Sequence, residues 1–224
     1  MVQSGNPKRA PKKSAGSSGQ NKVPRPLKKA PKPKAQLGPE DWARAALVAI
    51  QRGGVQTVAV EPLAKVLGVT KGSFYWHFAN RDALLAAALA AWEQEQSDDV
   101  VSRFEAIADP RRRLRVMMFA AFEDQENGLL HAALASSSED ARVQPTLRRV
   151  TETRMRFGIK SFKALGLSDE EAQRRALFTY SAYAGYFLLL RAIPESVRDV
   201  SDLSAYVRYL ANALLPENLG AKNR

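Results

Sequence analysis

The sequence predicts an all-α protein: an N-terminal three-helix helix-turn-helix unit followed by a larger helical domain. Three observations predict it. Apolar residues from about Pro39 onward recur at three- and four-residue spacing, and no alternating run of a half-buried strand follows Pro110. Gly128, Pro145, Gly166, Pro194 and Pro216 punctuate that later part into about five helices. Between them and the N-terminus, two short amphipathic segments meet at Gly68, the residue that takes a left-handed corner most cheaply.

Residues 1–38 stand apart. Ten of the 34 Lys and Arg and none of the 23 acids fall within residues 1–39, so the net charge of +11 lies almost wholly there and the remainder is nearly balanced. Rich in Pro, Lys, Gly and Ser, this stretch buries too little apolar surface to offset the entropy of ordering it, and is expected to be a disordered basic arm. Sequence-independent contact with nucleic acid is its functional reading; a solubilising tail or a membrane-surface role are the alternatives. No apolar core follows the charges, so it does not read as a secretory signal. The chain has no cysteine, which excludes disulfides and thiolate metal sites and fits a cytoplasmic location.

The first helix is expected from Pro39 to Arg52, with Trp42, Ala46, Ala49 and Ile50 on one stripe and Gly53-Gly54 ending it. A second runs from Glu61 to Leu67, with Leu63, Ala64 and Leu67 inward and Pro62 in the first turn, where its missing N–H costs nothing. Val69 plugs the corner and a third helix starts near Thr70, turning Phe74 and Phe78 inward. Its outer surface and first turn carry Lys71, Ser73, Tyr75, Trp76 and His77 with no acid. Such a surface suits a polyanion that also offers hydrogen-bonding edges, as the DNA major groove does. Asn80 is a good N-cap for the next helix, and Arg81 in its first turn points at the same partner.

The stretch GVTKGSFYWHFANRDALL resembles the DNA-binding signature of the TetR (tetracycline-repressor) family of bacterial regulators, with its Gly-Val-x-Lys-Gly-x-x-Tyr-x-x-Phe core. The resemblance covers Trp42 to Leu89. It implies that Thr70, Lys71, Gly72 and Ser73 approach base edges, and that Tyr75, Trp76, His77 and Arg81 hold phosphates. Ala59 departs from the family's usual Thr or Ser, which removes one phosphate contact, and Arg81 replaces a common Lys.

The helix opening at Arg81 carries Leu84, Leu85, Ala88, Leu89 and Trp92 at helical spacing and is expected to continue toward Ile107, breaking near Asp109-Pro110. It would act as a lever between the reading helix and the rest. The arginines at 111–113 and 115, and Arg148, Arg149, Arg154, Arg156, Lys160 and Lys163 on a later helix, are read as solvated faces, with an anion-binding pocket as the alternative. Ser168 and Glu171 form a capping box for a helix with Arg191 as the one charge between Ala176 and Ile193. Its polar and tyrosine content argues against a membrane span. Tyr180, Tyr183 and Phe187 can face the chain's own core, leaving a stripe of Leu177, Ser181, Gly185 and Leu188 for a partner helix. The last helix, with Leu203, Val207 and Leu210, offers a second strip, so a homodimer through a four-helix bundle is expected; the TetR resemblance implies the same.

The domains are expected at 39–85 for DNA binding and 86–216 for effector binding and dimerisation, with 217–224 a flexible tail. Met117, Met118, Phe119, Phe122, Met155, Phe162, Tyr180 and Tyr183 read singly as core; as a group they are similar to the apolar pocket of TetR-type sensors, which implies an uncharged or weakly polar, partly aromatic effector. The chain is therefore expected to be a sequence-specific regulator, a ligand-responsive repressor on a palindromic double-stranded operator, with no cofactor, no metal and no membrane partner. A nucleoid-type architectural protein relying on the arm is the alternative. An enzyme is not expected: the two histidines are His77, on the reading helix, and His131, read as a loop residue beside the solvated acids Glu123, Asp124 and Glu126.

Overall fold

A proline in its first turn and two acids facing the positive end of its dipole start helix α1 (Pro39–Gly53), and Gly54 at φ 87° ends it. The computed structural model describes residues 37–96, 104–200 and 202–215; most of the basic arm and the C-terminal tail lie outside them. A 3-10 turn (Val55–Thr57) leads to α2 (Val60–Leu67), α3 (Lys71–Tyr75) and α4 (Arg81–Glu95). Beyond Asp109 come α5 (Pro110–Glu123), α6 (Gln125–Ala135), α7 (Gln144–Lys163), α8 (Asp169–Ala192), α9 (Pro194–Val200) and α10 (Leu203–Leu214). The described residues contain no strand.

Two apolar clusters hold these helices. The first joins Trp42, Ile50, Phe74, Leu84, Leu85 and Trp92 of the N-terminal helices to Leu134 and Val150 of α6 and α7. The helix-turn-helix therefore rests on the larger domain through shared core, and α1 packs on both α4 and α6. The second cluster gathers Met118, Phe122, Phe162, Tyr183, Phe187, Val207 and Leu210 from α5, α7, α8 and α10. Its centre is Phe122, whose ring contacts Tyr183, Tyr186, Phe187 and Tyr206 at centroid distances of 5.4–6.0 Å. No helix among the described residues is long and apolar enough to cross a membrane.

Three expectations are corrected here. Helix α4 does not run toward Ile107: it ends at Glu95, where Gln96 leaves helical geometry and its side chain is taken up by α6 and α7. Gly128 is no break, because it lies inside α6; the chain breaks at Asp124, whose carboxylate accepts from the Asn127 N–H and caps that helix. His131 is not a loop residue either. It sits in α6 at 2% exposure. The expected break at Asp109-Pro110 is present, with the Asp109 side chain capping the Arg111 N–H, and Ser168 caps α8 by accepting from the Glu171 N–H.

Candidate functional site

The corner between α2 and α3 is built by Gly68 at φ 68°, whose N–H donates to Lys65 while the Val69 N–H donates to Ala64. A side chain at that φ would be strained. Phe74 is fully buried, stacked on Phe78 at 5.6 Å and edge-on to Trp42 at 5.4 Å. These contacts fix the rotation of α3, so everything not used for packing faces out. Thr70, Lys71, Gly72, Tyr75 and Trp76 are exposed and Ser73 and His77 are half-buried. Trp76 is 87% exposed, which is costly for an indole and unusual without a partner surface.

Two cations on this surface have partners that the sequence did not suggest. Lys71 Nζ is paired with Glu61 of α2 at 2.8 Å, an exposed bond that raises the lysine pKa and lowers that of the carboxylate. The outer face of α3 carries no acid of its own, but its neighbour supplies one. Arg81 turns inward: Nε donates to the Val58 carbonyl at 2.6 Å and Nη2 to the Val55 carbonyl at 2.8 Å. Its guanidinium ties the 3-10 turn to the start of α4, an assignment to stapling that replaces the expected phosphate contact for those two nitrogens. Asn80 caps α4 as expected, accepting from the Ala83 N–H at 2.9 Å.

Between α5, α7 and α8, at the far end of α4, lies a cavity of about 530 Å³. Of the eight residues read as a pocket, Met117, Met118, Phe122, Phe162, Tyr180 and Tyr183 line it. Phe119 and Met155 do not; both pack on the second core cluster instead. The sequence reading missed the polar part of the wall, which includes Gln96, Asp124, Asn127, Arg154 and Thr179. Arg154, expected on a solvated face with an anion-binding pocket as the alternative, shares a face of α7 with buried Val150, Phe157 and Ser161 at spacings of three and four. That spacing was a legible signal. From Arg154 a chain of bonds leads to α4: Nη2 donates to Gln96 Oε1 at 2.8 Å, Asn127 Nδ2 donates to the same oxygen at 3.2 Å, and Trp92 Nε1 donates to Asn127 Oδ1 at 2.9 Å.

His131 lies just beyond this wall. Its Nε2 is 2.7 Å from the Tyr180 hydroxyl, which shares a second hydrogen bond of 2.8 Å with Thr151 Oγ1. Burial, with the nearby Arg154 charge, pushes its pKa down to about 3. In the folded protein the ring thus stays neutral while in the unfolded chain it takes a proton near its ordinary value. Stability is therefore fully present above that value, falls as pH drops below it, and stops falling near pH 3. Chemical denaturation should show a loss of about 2 kcal/mol from this group between pH 7 and pH 5. His131→Leu should remove that part of the slope; an unchanged slope would place the titration elsewhere.

The outer face of α8 carries Leu177, Ser181, Gly185 and Leu188 as read, with Phe178 and Leu189 beside them; the four large residues are 49–57% exposed. The second strip is corrected. Val207 and Leu210 are buried at 1% and 5% against the chain's own core and Leu203 is half-buried, whereas Tyr209 is 76% exposed. The apolar face of α10 is consumed by α5 and α8, so its free face is the polar one.

Residues 44–88 match the family model described as bacterial regulatory proteins, tetR family. The fold is similar to that of a TetR transcriptional regulator from Legionella pneumophila (16% identity, TM-score 0.67, covering 79% of this chain and 96% of that one). It is also similar to a transcriptional regulator from Rhodococcus sp. Rha1 (21% identity, TM-score 0.66, 80% and 94%) and to the regulator FadR from Bacillus subtilis in complex with stearoyl-CoA (14% identity, TM-score 0.59, 79% and 97%).

Proposed function

With the helix-turn-helix of the TetR family at residues 44–88 and the fold of TetR-family transcriptional regulators over the described chain, we propose that the protein is a homodimeric, ligand-responsive repressor that reads a palindromic operator. The observation that carries this reading is the α3 surface: its rotation is fixed by buried Phe74, and it presents Lys71, Tyr75 and Trp76 to solvent. Thr70, Lys71, Gly72 and Ser73 are the proposed base-edge residues, and Tyr75, Trp76 and His77 the proposed phosphate contacts. The cavity supports a sensing role, since it joins the far end of α4 through Arg154, Gln96 and Asn127. An effector acts only by preferring one arrangement of the two reading helices over the other. The architectural alternative rests on the basic arm, which lies outside the described residues.

Binding-site selection on random DNA tests the reading. A two-fold symmetric motif is expected, with Lys71→Ala relaxing the base preference at one position per half-site at about 1 to 3 kcal/mol for a lysine on a guanine edge. Tyr75→Phe should instead weaken all sequences alike. Recovery of no motif at all would favour the architectural protein, and an unchanged motif with unchanged affinity for Lys71→Ala would remove that residue from the reading surface.

A further inference from the structure

The wall of the cavity is apolar along α5 and α7, but it contains one charge that the chain does not neutralise. Arginine keeps its proton at any ordinary pH and offers five donors. Arg154 Nη2 is spent on Gln96, a neutral acceptor. Nη1 is buried and has no hydrogen-bond partner among the described residues, and no described carboxylate lies within ion-pair distance of the group. The guanidinium lies over the Tyr183 ring at 5.1 Å from its centroid, and the buried Tyr183 hydroxyl, which meets no acceptor, has this same guanidinium as its charged neighbour. Arg154 and Tyr183 thus stand side by side in the cavity wall with donor capacity that the described chain leaves unused.

The other polar atoms of the wall are engaged. Thr179 Oγ1 donates to the Arg175 carbonyl, the Tyr180 hydroxyl is held by His131 and Thr151, and Asp124 caps α6. Glu95 and Asp124, the acids of the wall, are both exposed, where water already satisfies them. A buried donor on a fixed cation is the most expensive group to leave unmatched, and a charge-assisted bond to an anionic oxygen is the match that recovers most.

We infer that the cavity takes an amphiphile with a single anionic oxygen headgroup, a carboxylate in the simplest case, held by Arg154 and Tyr183, with its apolar body along Met117, Met118, Phe122 and Phe162. This deepens the sensing role proposed above and rests on it. It also replaces the uncharged effector that the apolar residues alone suggested. The volume of about 530 Å³ is that of a site for one small molecule. The guanidinium that would hold the headgroup also donates through Nη2 to Gln96, the residue that follows α4. Occupancy of the cavity is thereby felt by the helix that begins beside the reading surface.

The test uses the full chain with three probes of equal tail, decanoate, decanol and decylamine, each below its micelle concentration. Affinities are read from displacement of the uncharged fluorophore N-phenyl-1-naphthylamine and checked by calorimetry. Decanoate should bind at least about tenfold more tightly than decanol, a difference of about 1.4 kcal/mol, and decylamine should bind most weakly. Arg154→Met should abolish the advantage of the acid while leaving decanol as it was, and Arg154→Lys should keep part of it. Thermal unfolding of both variants separates a lost headgroup contact from a lost fold, and the wild-type series decides the matter without either. Equal binding of acid and alcohol would overturn the anionic headgroup and leave the sensing cavity standing. Strongest binding of the amine would overturn it in favour of Glu95 and Asp124. Failure of the fluorophore and of all three probes to bind would overturn the cavity as a sensor together with this inference.

Discussion

Gly185→Trp should give a folded monomer that binds operator about 10² to 10⁴-fold more weakly than the parent, the factor lost when two linked readers become one. Helix α8 turns Tyr183, Phe187 and Leu190 into the chain's own core, and its opposite face leaves Leu177, Phe178, Leu188 and Leu189 about half exposed. An apolar strip of that size on one helix is the mark of a contact surface. A Cβ at Gly185 would meet nothing within 4 Å, so a side chain can leave the backbone there without a clash inside the chain. Replacing glycine within a helix also removes a conformational penalty. The cost therefore falls on whatever approaches the strip from outside. Sedimentation and operator gel shifts should report monomer and weak binding together, with far-ultraviolet circular dichroism unchanged. An intact dimer of full affinity would move the interface away from α8.

Gly128→Val should destabilise the protein by about 3 kcal/mol, the upper end of what overpacking a core usually costs. Gly128 lies on the inner side of α6 facing Phe187, and a Cβ there would stand closer than 3.0 Å to three atoms of that ring. The ring cannot swing away, because Phe187 is fully buried and wedged by Phe122, Tyr183 and Tyr186. Gly128→Ala should cost less, since the gain of roughly 1 kcal/mol in helix propensity offsets part of the clash. Phe187→Leu added to Gly128→Ala should recover stability relative to the sum of the single changes, the sign of coupling between touching residues. Denaturant melts that showed simple additivity would mean that the backbone of α6 shifts and the ring does not resist.

The helix-turn-helix was legible because its information is local. Leu63 and Ala64, Phe74 and Phe78, and the corner at Gly68 lie within one or two turns of each other, and helix geometry alone decides which of them share a face. The caps at Asn80 and Ser168 were readable for the same reason. Six of the eight residues read as a pocket line the cavity because apolar residues on facing helices have few places to go. Phe119 and Met155 show the limit, since the same chemistry serves core and cavity alike.

By itself, then, the sequence determined the all-α fold, the corner, the direction in which α3 presents its surface and the apolar character of the cavity. The tertiary structure decided where long side chains spend their charge and which amphipathic faces find a neighbour in the same chain. Arg81 reads as an outward cation until the carbonyls of Val55 and Val58, 26 and 23 residues earlier, come within its reach. Val207 and Leu210 read as a free strip until α10 lies down on the core. Gly128 reads as a break until a ring 59 residues away in sequence presses on it, and Arg154 as solvated until Gln96 and the Tyr183 ring come within its reach. Arginine is long, flexible and amphipathic, so its Cα position leaves the location of its charge open. Partners distant along the chain fix that location, and no periodicity within a single helix encodes them.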